Sequence, residues 1–312
     1  MTERVLVALE ADIFGARALA GLAQAGHEVV AAVVRQQEDW AADRYLARRN
    51  PAFSVTAGLA RLGLQPMLVS GRQDWPKVLR AIDELGVTLL LNVHFPWRVP
   101  EAVLQRLPGR ALNLHPALLP ACRGPNPFAA LLADELADSK GGGTLHVMTA
   151  AFDEGPIVAQ QAVPLGPARD TLAWQLAIAR AYATLLGQPL AAYLGGRLTA
   201  TPQDPALATQ ASVKLLGDRL NIDDGLSAAE ALRRAEIFGQ VRTLSISAGG
   251  KRWRGMLPAR VLGPPQGKPP RLGLFRLSFD VADARLSLRR RWPGDGRRQR
   301  RRIWRRMARA LP

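Results

Sequence analysis

Ala111-Leu112-Asn113-Leu114-His115-Pro116-Ala117-Leu118-Leu119-Pro120, with Arg123-Gly124-Pro125 close behind, reads as a short strand ending on two polar side chains. Upstream, Val87-Thr88-Leu89-Leu90-Leu91-Asn92-Val93 is the apolar run that a parallel strand buried on both faces needs. Together they predict neighbouring strands of an open α/β sheet, a fold that places its ligands at the carboxyl ends of its strands. Asn113 and His115 lie two apart, so on an extended strand end they project to the same side. Asp153, in the turn Phe152-Asp153-Glu154-Gly155-Pro156-Ile157, is a carboxylate expected at the same edge.

Outward from this centre the chain keeps one rhythm. Arg4 to Leu9 reads as a buried strand, Phe14 to Ala25 has helical spacing, and Val29 to Val34 is a second strand. This β-α-β opening predicts a parallel sheet with right-handed crossovers. The first turn lacks a G-x-G-x-x-G pattern, which counts against a nicotinamide or flavin enzyme. Gln65 to Val69 is expected as an edge strand, and Trp75 to Leu85 as a helix with apolar positions near the 3.6 period. Helices are also expected over Asn126 to Leu136 and, as one long element, Thr171 to Tyr193. Gln36 to Asn50 is polar, with Arg44, Arg48 and Arg49 close together; it fits either a solvated loop or helix face, or a mobile loop meeting an anionic acceptor.

Thr201-Pro202-Gln203-Asp204-Pro205 has the composition of a linker. Beyond it, Ser227 is expected to cap a helix as far as Phe238, with Glu230 completing a capping box. Val241 to Ile246, Lys251 to Leu257, Arg271 to Phe279 and Ala284 to Arg289 are candidate strands of a small β-rich, OB-like domain. The expected divisions are 1–200, 201–284 and an arginine-rich tail, 285–312.

The net charge of +16 resides largely in that tail: Arg285 to Arg309 holds twelve arginines against Asp295 alone, a net of +11 that leaves about +5 elsewhere. Such a tail suits disordered solubilisation, or phosphate contact with base stacking on Trp292 and Trp304, or an anionic membrane surface. Cys122 is the only cysteine, so no internal disulfide forms. Glu3, Glu10 and Asp12 interrupt any secretory signal in the first 30 residues, and a cytoplasmic location is expected. His94, His115, His146 and Asp153 lack a short ligand spacing, so no metal is expected.

Acyl or formyl transfer to an amine needs a donor at the carbonyl oxygen and a group that accepts the amine proton. An asparagine amide, a histidine and a carboxylate meet those needs. Spacing alone equally allows Asn113 and His115 to be strand-end polar groups satisfying loop backbone. The motif Asn113-x-His115-x-x-Leu118-Leu119-Pro120 with Arg123-Gly124, together with Asp153-x-Gly155, resembles the signature of the folate-dependent formyltransferases, across roughly residues 4–195.

The resemblance implies 10-formyltetrahydrofolate as donor and Asn113, His115 and Asp153 in the catalytic positions. It also implies that His94, Phe95, Pro96, Trp97, Arg98 and Val99, with Phe152, Glu154, Gly155 and Pro156, embrace the pterin. Arg44, Arg48, Arg123 and Gly124 are the residues expected at the acceptor. More loosely, Leu220 to Asp223 and the helix after it are similar to the second domain of methionyl-tRNA formyltransferases, pointing to tRNA held by the basic tail. Ala117 in place of serine, Glu154 in place of threonine, Asp224 in place of tryptophan and Pro125-Asn126-Pro127 depart from that pattern. They keep open a small-molecule amine, such as a nucleotide-linked amino sugar or a hydroxylated amino acid, and a non-catalytic RNA-binding protein on the same scaffold.

Overall fold

The structure is a computed structural model that describes residues 2–36, 40–238, 244–254, 256–290 and 295–310. Contacts divide the chain into two compact units: Met1–Phe128, Leu136–Gln210 and Arg301–Pro312 form one, Ala129–Glu135 and Ala211–Arg300 the other.

The first unit is built on a seven-stranded sheet. Its strands are β1 (Arg4–Leu9), β2 (Glu28–Arg35), β3 (Met67–Val69), β4 (Leu89–Val93), β5 (Ala111–His115), β6 (Gly142–Val147) and β7 (Ile157–Ala162), in the order β3-β2-β1-β4-β5-β6-β7. Its helices are α1 (Ile13–Gln24), α2 (Trp40–Arg49), α3 (Val55–Arg61), α4 (Trp75–Glu84), α5 (Glu101–Arg106), α7 (Thr171–Leu185) and α8 (Gln188–Leu194), while α6 (Pro127–Ala133) passes into the second unit at Ala129. Val5 to Leu9 and Leu89 to Leu91 are fully buried, the condition under which parallel strands lose polar alternation.

β6 runs antiparallel to β5, with Leu112 opposite Val147 and His115 opposite Thr144. The loop after β6 therefore leaves at the start of β5 and has to fold back over the sheet before Asp153 reaches Asn113. The expected helix over Thr171 to Tyr193 is two helices, because Gly187 and Pro189, which has no N–H, break the hydrogen-bond ladder. Part of the polar segment Gln36 to Asn50 is the helix α2; residues 37–39 lie outside the described residues. Buried Asp43 anchors α2 by accepting from the Val55 N–H at 2.6 Å and the Thr56 N–H at 3.1 Å, at the start of α3.

The second unit contains α9 (Val213–Leu216) and α10 (Ala228–Phe238) with strands β8 (Asn221–Asp223), β9 (Ser245–Ala248), β10 (Lys251–Arg254), β11 (Met256–Gly263), β12 (Arg271–Leu272), β13 (Arg276–Asp280) and β14 (Arg285–Arg290). They make a three-stranded sheet, β10-β9-β8, and a four-stranded sheet, β11-β14-β13-β12. Residues 285–290, counted from their charge as tail, are instead the inner strand β14. Leu286 and Leu288 alternate onto its buried face and are fully enclosed. Ser227 caps α10 through the Glu230 N–H at 3.2 Å, but the Glu230 carboxylate turns to Arg233 and Arg234 rather than completing a capping box. The expected strand start at Val241-Arg242-Thr243 lies outside the described residues, as does Trp292.

α11 (Asp295–Arg309) makes the end of the basic tail helical. Its residues from Arg301 onward belong to the first unit, where Asn50 Nδ2 donates to the carbonyls of Met307 (3.3 Å) and Ala310 (2.7 Å). Trp304 lies 5.9 Å from the Tyr45 ring, and Arg306 pairs with Asp170. Among the described residues, no helix is long and apolar enough to cross a membrane.

Candidate active site

Register brings the site together. Asn92 pairs with Asn113 across β4 and β5, and Asn113 with His146 across β5 and β6, so three polar side chains stand in a row over three adjacent strands. Asn113 Nδ2 donates to His146 Nε2 at 2.9 Å and to Asp153 Oδ1 at 3.2 Å. The other carboxylate oxygen, Asp153 Oδ2, accepts from the Gly124 N–H at 2.8 Å and faces His115 Nδ1 at 3.4 Å. His115 Nε2 donates to the Cys122 carbonyl at 2.9 Å. Asn113, His115, His146 and Asp153 are all at least nine-tenths buried.

The loops that carry these groups adopt unusual backbone. Cys122 and Asp153 have φ of 59° and 57°, the left-handed region that non-glycine residues rarely occupy, and such strain gathers at functional sites. A Cβ at Gly155 would overlap the Val147 carbonyl oxygen, so only glycine lets the Asp153 loop close on β6. Gln203 clasps both loops. Its Nε2 donates to the carbonyls of Asp153 (2.8 Å) and Gly155 (2.7 Å), while its Oε1 accepts from Arg123 at 2.8 and 3.1 Å.

Burial pushes the His115 imidazole below its ordinary pKa, more than the neighbouring Asp153 carboxylate raises it. Burial also pushes the Asp153 carboxyl up, but His115, His146 and the Gly124 N–H outweigh it and bring the group down to about 2. A carboxyl with a depressed folded-state pKa adds stability above its unfolded value near 4, and that stability is lost as pH falls toward the folded value. From a shift to about 2 the contribution is about 2 kcal/mol. The stability advantage of the wild type over Asp153→Asn should therefore narrow by about that amount between pH 5 and pH 2.5 in urea unfolding. A constant difference across that range would show the carboxylate to be unpaired.

Beside the cluster lies a cavity of about 280 Å³. Asn113, His115, Gly124 and Asp153 border it, as do His94, Phe95, Pro96, Trp97, Arg98, Val99 and Phe152. Glu154, Gly155 and Pro156 do not: Glu154 faces Arg123 at 3.8 Å, and the other two shape the turn against Val147. Arg123 is buried under Gln203 and holds the loop rather than facing the cavity, and Arg44 and Arg48 are exposed on α2, away from it. Ala117 is fully buried, its carbonyl accepting from Thr144 Oγ1 at 2.6 Å, a structural position.

Asn92 and His146 also border the cavity, but the sequence does not mark them as site residues: Asn92 lies in an apolar strand, and His146 stands out only as a histidine without metal-ligand spacing. His94 was expected at the pterin, but not its partners: Asp12 Oδ2 at 3.2 Å from Nδ1 and the Tyr182 hydroxyl at 3.0 Å from Nε2. The signal for Asn92 and His146 was the strand register, which pairs each with Asn113.

An Asn–His–Asp cluster beside a largely apolar slot, on the central strands of an open α/β sheet, defines an acyl-transfer type of site. Residues 3–181, more than half of the chain, match the formyl transferase family, and the chain belongs to that family. It is 33% identical over 197 residues to the methionyl-tRNA formyltransferase of Chloroflexus aurantiacus, a match covering 63% of this chain and 61% of that relative's length. HypX from Aquifex aeolicus in complex with tetrahydrofolic acid shares the fold over 92% of this chain and 44% of its own, with a TM-score of 0.60 at 16% identity. So does an N-formyltransferase from Helicobacter canadensis in complex with folinic acid and dTDP-3-aminofucose, over 94% and 100%, with a TM-score of 0.59 at 12% identity.

Proposed function

We propose that this protein transfers a formyl group from 10-formyltetrahydrofolate to an amine, and that the amine is carried by an aminoacylated tRNA. The observation that carries the chemistry is the cluster of Asn113, His115 and Asp153 against the cavity. Its walls suit a flat reduced pteridine, because Phe95, Trp97, Val99, Met148 and Phe152 are apolar. The folate supplies the activated formyl group.

Every other part of the chemistry falls to the chain. Asn113 Nδ2 meets the negative charge that develops on the carbonyl oxygen, exchanging its longer bond, 3.2 Å to Asp153, for that oxygen. His115 keeps Nε2–H on the Cys122 carbonyl, which leaves the Nδ1 lone pair as the base. A proton shed by the amine is taken up at Nδ1, beside Asp153 Oδ2 at 3.4 Å, and is passed to N10 of the folate as the formyl C–N10 bond breaks, so that tetrahydrofolate leaves and His115 is neutral again. The lowered His115 pKa keeps that lone pair free at neutral pH, and the ionised carboxylate stabilises the ring once it is charged.

Two observations favour a tRNA acceptor: the kinship with methionyl-tRNA formyltransferases and the packing of α11 on α2. Because Ile303, Trp304, Met307 and Ala308 are half-buried, the apolar side of α11 is not free to enter a membrane. Arg301, Arg302, Arg305 and Arg309 stay exposed on α11, as do Arg44, Arg48 and Arg49 on α2, and Arg49, Arg305 and Arg309 border one pocket between the two helices. The test is incubation with 10-formyltetrahydrofolate and a panel of methionyl-tRNA, a nucleotide-linked amino sugar and a hydroxylated amino acid. Formyl-methionyl-tRNA is the expected product; formylation of a small amine alone overturns the acceptor, and formylation of none overturns the activity.

A further inference from the structure

Residues 201–210 have the composition of a linker, yet they are bonded to both loops that carry the site. Thr201 exchanges two backbone hydrogen bonds of 2.8 Å with Ile157, where β7 leaves the Asp153 turn. Gln203 Nε2 donates to the Asp153 and Gly155 carbonyls, while its Oε1 accepts from buried Arg123. Two carbonyls on one side and a guanidinium on the other fix the direction of that amide. Thr209 holds the other loop. Its N–H donates to the Pro120 carbonyl at 3.2 Å and its carbonyl accepts from the Arg123 N–H at 2.8 Å. Its hydroxyl accepts from the Cys122 N–H at 2.8 Å.

These bonds bear on a competition for one proton. Neutral His115 has a single N–H and two acceptors: the Cys122 carbonyl, 2.9 Å from Nε2, and Asp153 Oδ2, 3.4 Å from Nδ1. A carboxylate is the stronger acceptor, so at equal distances it would draw the proton to Nδ1 and remove the lone pair there. The Nε2–H form depends on the carbonyl staying close and the carboxylate staying back. Asn113 Nδ2 at 3.2 Å, His146 Nε2 at 3.5 Å and the Gly124 N–H at 2.8 Å also engage that carboxylate, but none of them holds the backbone beneath it. At both competing residues that backbone is left-handed, with φ of 59° at Cys122 and 57° at Asp153. Such conformations persist only where the surroundings over-determine them. The linker bonds directly to each: Thr209 to the Cys122 N–H, Gln203 to the Asp153 carbonyl.

We propose that Gln203 and Thr209 are positioning residues that hold His115 in its Nε2–H tautomer and so keep Nδ1 free as the base. Only the consequence for turnover rests on the formyl-transfer reading; the tautomer belongs to the protein without ligands. Gln203→Glu keeps the oxygen that Arg123 bonds to and sets a second oxygen against the Asp153 and Gly155 carbonyls, releasing that loop. Thr209→Val keeps the side-chain shape and takes the acceptor from the Cys122 N–H, releasing the other.

The experiment reads the imidazoles of the full-length protein by long-range ¹H–¹⁵N correlation NMR at a pH where the rings are neutral. There are four histidines, and the signals missing from His115→Gln identify His115. Tetrahydrofolate affinity by calorimetry and kcat, with the amine that the panel shows to be formylated, complete the set. Wild-type His115 should carry its proton on Nε2. Each variant should move the signature toward the Nδ1–H form and lower kcat by about 10- to 10²-fold, with tetrahydrofolate affinity within about two-fold of wild type. An unchanged His115 signature in a folded variant overturns the role of the residue changed there, whatever turnover does. Tetrahydrofolate affinity that falls in step with kcat also overturns positioning, because the whole site has then loosened. Moved signatures in a protein whose wild type transfers no formyl group support the tautomer role and overturn the functional reading instead. Should Gln203→Glu fail to fold, Thr209→Val decides, since Thr209 is exposed and its exchange leaves no cavity.

Discussion

Asn113→Ala should fold and bind folate yet turn over about 10²–10³ times more slowly, the usual cost of removing one oxyanion donor. The amide sits at the crossing of the site. It holds Asp153 Oδ1, accepts from Asn92 and donates to His146, so its loss also leaves three buried polar groups short of a partner. That shortfall costs roughly 1–3 kcal/mol per unsatisfied group, which makes a lowered melting temperature part of the expectation. The two effects separate cleanly. Folate affinity should change little, because the apolar walls are untouched, whereas kcat should collapse. Near-normal turnover by the folded variant would remove Asn113 from the chemistry and leave the strand end as a structural feature.

Changing Arg301, Arg302, Arg305 and Arg309 together to glutamine should cut tRNA affinity on the order of 10²-fold and flatten its salt dependence. Each phosphate contact contributes about one unit to the slope of log affinity against log salt, so the slope should fall by about 4. These side chains are exposed, and among the described residues none of them meets a carboxylate, so the fold should tolerate the change. Arg306 is left in place because it pairs with Asp170, the cap of α7. Deleting residues 285–312 would be a poor substitute: it removes β14 with buried Leu286 and Leu288 and so unfolds the second unit. Unchanged affinity and slope in the four-fold variant would mean that tRNA, if bound, uses another surface.

The architecture was largely legible because burial on both faces leaves a plain mark: Val5 to Leu9 and Leu89 to Leu91 could hardly be anything but inner strands. Asn113, His115 and Asp153 were legible through motif order. Charge misled only over the boundary: Ala284 to Arg289 is legible as a strand, yet its arginines drew the start of the tail to residue 285, inside β14. The polar segment around Arg44 and Arg48 left loop and helix open, because the anchor of α2, Asp43, bonds to the start of α3, a partner that no local pattern reveals.

By itself, then, the sequence determined the α/β class and singled out Asn113, His115 and Asp153 as candidates for one site, both from local periodicity and short motifs. Only the tertiary structure decided what completes the site. The antiparallel turn of β6 sets His146 beside Asn113, the parallel register of β4 sets Asn92 on its other side, and Gln203 returns from the linker to clasp the loops. Those partners come from strands and a linker far apart in the chain. Contacts of this kind run across strands, and a one-dimensional pattern carries no record of them.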